Sequence, residues 1–146
     1  MTAPFVDPVI LPPDIETLAS NYLTTALSPT PIATRLPSPT KDADTVNGFC
    51  RVEYGGGSKP NRFHWDVQII LHGYSPNEIE ASLIARRSVA LLSAARGQTV
   101  SDGTDGWFVV GVMGVVAPHR LTDPDVILPR YRASVTWRVA GQQWNP

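Results

Sequence analysis

The clearest helical pattern lies early in the chain. Ile15, Leu18, Ala19, Tyr22, Leu23, Ala26 and Leu27 recur at i, i+3, i+4, i+7, i+8, i+11 and i+12, a single apolar stripe. Pro12 and Pro13 precede it, Asp14 and Glu16 suit the positive end of its dipole, and Ser28-Pro29 stops it. A second helix is signalled by Ser75-Pro76-Asn77-Glu78, with Ser75 as N-cap, Pro76 as first helical residue and Glu78 closing a capping box. Ile79, Leu83, Ile84, Leu91 and Leu92 supply its buried stripe. Ala81, Ala85, Ala90, Ala94 and Ala95 allow close approach, and Arg96-Gly97 ends it.

Strands follow the other period. Phe63, Trp65, Val67, Ile69 and Leu71 alternate with His64, Asp66, Gln68, Ile70 and His72. Tyr131, Ala133, Val135, Trp137 and Val139 alternate with Arg130, Arg132, Ser134, Thr136 and Arg138. Trp107 to Val116 is almost continuously apolar and reads as a central strand covered on both faces, with Gly111 and Gly114 marking a bulge or close packing. Phe49 to Tyr54 reads as a strand, Ile32 to Leu36 as a short edge strand, and Gly55 to Asn61 and Gln98 to Gly106 as flexible loops. These elements define an α+β domain with a mixed, mainly antiparallel sheet of four to five strands and two main helices packed on one face. The domain spans residues 14–140, between an extended arm at 1–13 and a tail at 141–146. The uncovered face should carry His64, Asp66, Gln68, Arg130, Arg132 and Arg138.

Composition qualifies this picture. Of 14 prolines in 146 residues, eight lie within the first 39, which alone would suggest disorder. The 42% apolar content and the periodic segments between the prolines argue for one folded domain with extended stretches instead. No apolar run is long enough for a membrane helix, and the segment MTAPFVDP does not read as a signal peptide. The single Cys50 allows no internal disulfide and no cysteine metal cluster. A net charge of −1 gives no global attraction to nucleic acid. The charge is uneven, however. Before Arg35 the charged residues are Asp7, Asp14 and Glu16; after Asp125 they are Arg130, Arg132 and Arg138. Opposite signs at the two ends would suit an acidic surface on one subunit meeting a basic one on the next.

Candidate chemistry is sparse. Gly55-Gly56-Gly57-Ser58-Lys59 resembles a phosphate loop only superficially, because Pro60 and a strand follow where a helix must begin. His64, Asp66 and His72 share a strand face without metal-ligand spacing, and Asp66 reads as the partner of an arginine on a neighbouring strand. No nucleophile elbow is present. The expectation is a non-enzymatic protein without cofactor or metal. Trp144 either folds back onto its own domain or anchors a partner.

The order and register of these segments resemble the siphophage tail terminator (tail completion) family, in the style of actinobacteriophage members. The resemblance runs through the amphipathic helix Asp14 to Leu27 and Phe49-Cys50-Arg51-Val52-Glu53-Tyr54-Gly55-Gly56-Gly57. It continues through the long strand Arg62 to Tyr74, the helix Ser75 to Arg96, the apolar strand from Trp107, and Asp125…Pro129-Arg130-Tyr131 leading into the last strand. It implies a structural virion protein of the tail neck. Such a protein forms a homo-oligomeric ring, typically of six subunits, at the head-proximal end of the tail tube. The ring stops tube polymerisation and offers a docking surface to head-tail connector proteins, while DNA passes through its lumen without sequence recognition. A head-tail stopper or adaptor is the neighbouring alternative, and a bacterial ligand-binding module the more distant one. Interface candidates are Phe5, Val9, Gly55, Gly56, Gly57, Lys59, Arg62, Arg130, Arg132, Arg138 and Trp144. The arm or the 37–48 loop is expected to contact an adjacent ring component, and loops 55–62 and 97–106 to order on docking.

Overall fold

The computed structural model describes residues 7–36, 48–122 and 128–145. Phe5 and residues 37–47 lie outside them. Helix α1 spans Ile15–Ala26. Asp14 caps it, accepting from the Thr17 backbone N–H at 3.4 Å and the Thr17 hydroxyl at 2.8 Å. The stripe read from the sequence is the buried one: Ile15, Leu18, Ala19 and Leu23 face inward, and a leucine taken fully out of water contributes about 2 kcal/mol. Helix α2 spans Glu78–Ser93.

Six strands form the main sheet: β2 (Ile32–Ala33), β3 (Phe49–Ser58), β4 (His64–Tyr74), β5 (Thr99–Ser101), β6 (Gly106–Leu121) and β7 (Arg130–Ala140), in the order β2-β3-β4-β7-β6-β5. The pair β2–β3 is parallel and every other pair antiparallel. A second, two-stranded sheet joins β1 (Ile10–Leu11) to β8 (Gln142–Gln143). The α+β class and the mixed sheet stand as read from the sequence, but the count of four to five strands is too low.

Both helices bury against one face. Val67, Ile69 and Leu71 of β4 and Ala133, Val135, Trp137 and Val139 of β7 meet Leu18, Leu23, Ile84, Val89 and Leu92 in one core. The closest approach is at Gly73, which lies under Ala81 and Ala85 of α2. The alanines permit that approach because they end at Cβ.

Several boundaries differ from the sequence reading. Gly55–Ser58 is not a loop but the end of β3, with a register shift between Tyr54 and Gly57 where the glycines absorb a bulge and Gly56 adopts φ +92. Thr99–Ser101 is a strand rather than flexible loop, and β6 runs five residues past Val116. Nor is β6 central: beyond Val109 no strand among the described residues pairs with its outer edge. The cap of α2 is Asn77 rather than Ser75. Its Oδ1 accepts from the backbone N–H groups of Ile79 at 2.9 Å and Glu80 at 3.4 Å, while buried Ser75 accepts from the Asn77 N–H. Ile79, expected in the buried stripe, lies on the side of the helix opposite Ala81, Ile84, Ala85, Ser88 and Leu92 and is 76% exposed. At the other end the helix stops at Ser93, and Gly97 supplies the left-handed residue after it (φ +79). Asn77→Ala is expected to cost about 1 kcal/mol in chemical denaturation, the usual loss of a cap.

Candidate functional site

The face of the sheet away from the helices is built by the even-numbered residues of β4 and their partners. Residues directly opposite on adjacent strands share a face. The register sets Arg51 opposite His72, His72 opposite Arg132, and Arg132 opposite His119. A row of four basic side chains thus crosses β3, β4, β7 and β6. One step along, Glu53 lies opposite Ile70, and Ile70 opposite Ser134.

Glu53 is the acid within this band. Its Oε2 accepts from His72 Nε2 at 2.9 Å. That hydrogen bond, helped by Arg51 and Arg132 nearby, holds the carboxyl below its ordinary range. Burial, and then the charges of Arg130 and Arg51, push His72 the other way for a base, below its ordinary 6.5. At neutral pH the imidazole is therefore neutral, donating from Nε2 to the Glu53 carboxylate. Its Nδ1 is buried without a hydrogen-bond partner. The unfolded chain accepts the proton before the folded one does, so stability should fall as pH drops below about 6.5. The slope is at most about 1.4 kcal/mol per pH unit. Glu53 adds a second loss once pH falls below its ordinary 4.5. Denaturation midpoints from pH 7.5 to 5 should show the first loss in the native chain and a flatter profile in His72→Gln, which retains a donor to Glu53.

Farther up the face, Asp66 lies opposite Arg138. The guanidinium donates to both carboxylate oxygens, Nε at 2.7 Å and Nη2 at 2.9 Å. This is the arginine partner expected for Asp66, and the pair holds the carboxyl below its usual range. Arg62 pairs with Asp7 at 3.0 Å, and Lys59 lies 5.6 Å from the centre of the Trp65 ring. The acidic start and basic end of the chain are thus neutralised in part by mid-chain residues of the same molecule.

The tail folds back. Trp144 donates its backbone N–H to Val9 at 2.8 Å, and the Gly141 N–H bonds Phe63 at 2.7 Å. The Trp144 side chain itself stays half exposed, at 50%. The arm from Val9 to Leu11 therefore lies along its own C-terminal segment. Phe63 and Tyr54 are also exposed near this end of the sheet.

Three elements meet at the opposite end. Glu78 at the start of α2 accepts from the Tyr131 hydroxyl at 3.1 Å and pairs with Arg120 of β6 at 3.0 Å. Glu78 and Tyr131, with Ile79, Ser82 and Arg86, line an open groove of about 330 Å³. Among the described residues no group of three or more His, Cys, Asp or Glu side chains is placed to hold a metal, and no helix is long and apolar enough to cross a membrane. Cys50 is buried, its thiol pushed up to about 11 by desolvation, so it is a core residue rather than a nucleophile.

The sequence-derived candidates therefore divide. Arg130, Arg132 and Arg138 share the open face. Gly55, Gly56, Gly57, Lys59 and Arg62 belong to the β3–β4 hairpin, and Val9 and Trp144 to the strap formed by the two chain ends. The Glu53–His72 pair was missed, because only the β3–β4 register brings it together. A scan of the chain against protein-family models finds no match, and a search of curated proteins finds none either.

Proposed function

We propose that this chain is a structural virion protein of the siphophage tail terminator kind. On this reading copies form a ring, in the tail neck, at the head-proximal end of the tail tube. The ring ends tube growth and presents a surface to the head-tail connector, with DNA passing through it unread. The chain carries no catalysis on this reading.

One observation carries the reading beyond the sequence resemblance. Apart from Ile79 in the groove beside Glu78, large apolar side chains are exposed mainly along the sheet and its ends: Tyr54 and Phe63 on the β3–β4 side, Phe108, Val115 and Val116 on β6, and Trp144 at the strap. Apolar surface laid out along edges suits contacts with other chains on several sides.

Electron microscopy of particles from a phage whose copy of this gene is disrupted tests the assignment. A terminator's loss should give over-long tails detached from heads. Tails of normal length without heads would assign the chain to a stopper or adaptor, and normal virions would refute a neck role.

A further inference from the structure

We propose that the outer edge of β6, over residues 111–117, pairs with the outer edge of β3, over residues 52–58, of a second copy of this chain. The sheet then runs on from subunit to subunit. This specifies the contact within the ring assembly proposed above and rests on that reading.

The first ground is a mismatch between the composition of β6 and its surroundings. From Val109 to Ala117 the strand carries no charged residue, the composition of a strand covered on both sides. In the isolated chain its outer neighbour is β5, which pairs only with Gly106–Phe108, and the backbone bonds on that side end with Gln98 and Val109. Val115 and Val116 are left 52% and 47% exposed. Edge strands are ordinarily blunted with charge. Here the register shifts bend the strand and Pro118 removes a donor near its end, but no charge guards it before Arg120. An edge left this open offers its unpaired backbone N–H and C=O groups to a further strand.

The second ground is the other rim. β2 pairs only with Cys50 and Arg51, so among the described residues the outer side of β3 is open from Val52 onward. Strand direction makes the two rims complementary. Along β3-β4-β7-β6 every neighbour is antiparallel, so β3 and β6 run in opposite directions. A second copy in the same orientation therefore sets its β3 antiparallel to β6 of the first, and the alternation continues without interruption. Such a contact is heterologous, joining two different patches, the kind of contact that builds a ring when the rotation between copies closes.

The register also matches. Tyr54 lies opposite Ile69 and Ile69 opposite Val135, which falls between the partners of Met113 and Val116. Tyr54 and Val115 thus lie at one level of the sheet, and apposing the rims brings an aromatic residue to a β-branched one, a favoured cross-strand pair. Ser58 and Gly111 share another level, through Asp66 and Arg138.

Cysteine trapping tests this, since native Cys50 is buried. The double variants Tyr54→Cys/Val115→Cys and Ser58→Cys/Gly111→Cys, mildly oxidised, are expected to give a ladder of covalent oligomers on non-reducing gels that reductant collapses. Each single variant should stay monomeric on the same gel, because a heterologous contact never sets a position against itself. Val115→Lys/Val116→Lys should reduce the mass by light scattering from an oligomer to one chain, with an unchanged circular dichroism spectrum. An oligomer that yields no ladder from either double variant, or one that survives the lysines, overturns the edge contact and leaves the ring standing. A ladder from Val115→Cys alone overturns it in favour of β6 meeting β6. A native chain that stays monomeric at every concentration overturns both the contact and the ring.

Discussion

Trp137→Ala is expected to destabilise the protein by about 4 kcal/mol, the usual range for a buried tryptophan truncated to alanine. Trp137 is fully buried at the centre of β7, where α1 and α2 converge on the sheet. Its ring meets Tyr22 of α1 edge-on, with centroids 5.8 Å apart and planes at 90°. Its Nε1–H donates to the Leu92 carbonyl of α2 at 2.9 Å. One side chain therefore ties three elements together. Truncation leaves a cavity and removes one donor from a carbonyl in the last turn of α2 that also accepts from the Ala95 N–H at 3.3 Å. Domains of this size hold about 5–15 kcal/mol in total, so the variant should be marginal. Guanidinium denaturation measures the loss. Trp137→Phe, which keeps most of the packing and gives up the N–H, should fall between the two, and equal midpoints for Phe and Ala would show that packing contributes little.

Gly73→Val should prevent folding altogether. A Cβ at Gly73 would run into the Ala81 carbonyl and lie 2.9 Å from the Ala85 backbone nitrogen. Backbone cannot move aside as a flexible side chain does, so α2 would have to lift from β4. Even Gly73→Ala should cost about 3 kcal/mol, the upper part of the range for overpacking. Gly111→Ala is the control. Its added carbon meets nothing nearer than 3.9 Å, and it should be neutral or slightly stabilising through the unfolded chain. Soluble yield and circular dichroism of the three variants separate these outcomes; a folded, stable Gly73→Val would refute the close approach.

Where one face of an element decides its burial, the sequence was legible. The α1 stripe and the alternation of β4 and β7 led directly to the core, and the polar face of β4 to the Asp66–Arg138 pair. Legibility failed where a residue's role depends on a partner distant in sequence. Gly55–Gly57 reads as a turn, yet β4 holds this segment as a bulged strand. Ser75 and Asn77 are both good caps, and the choice falls to Asn77 because Ser75 is buried beneath the Pro129 carbonyl that its N–H meets at 3.4 Å. Glu53 carries no local signal at all, since its hydrogen bond to His72 exists only through antiparallel register. The apolar run of β6 reads as a strand covered on both faces, yet Val115 and Val116 stay about half exposed, because nothing in their local sequence tells that this stretch of β6 lies at the rim of the sheet.

The pairing of Ile10 with Gln143 has a consequence for the timing of synthesis. Ile10 emerges from the ribosome before every strand of the main sheet, yet its partner strand emerges only after all six of them. The strap is a latch that cannot close until the rest of the fold has been made. Until then Ile10 and Leu11 remain without their strand partner, and a nascent chain halted before Gln142 should be open to proteases near its start while its sheet is already protected.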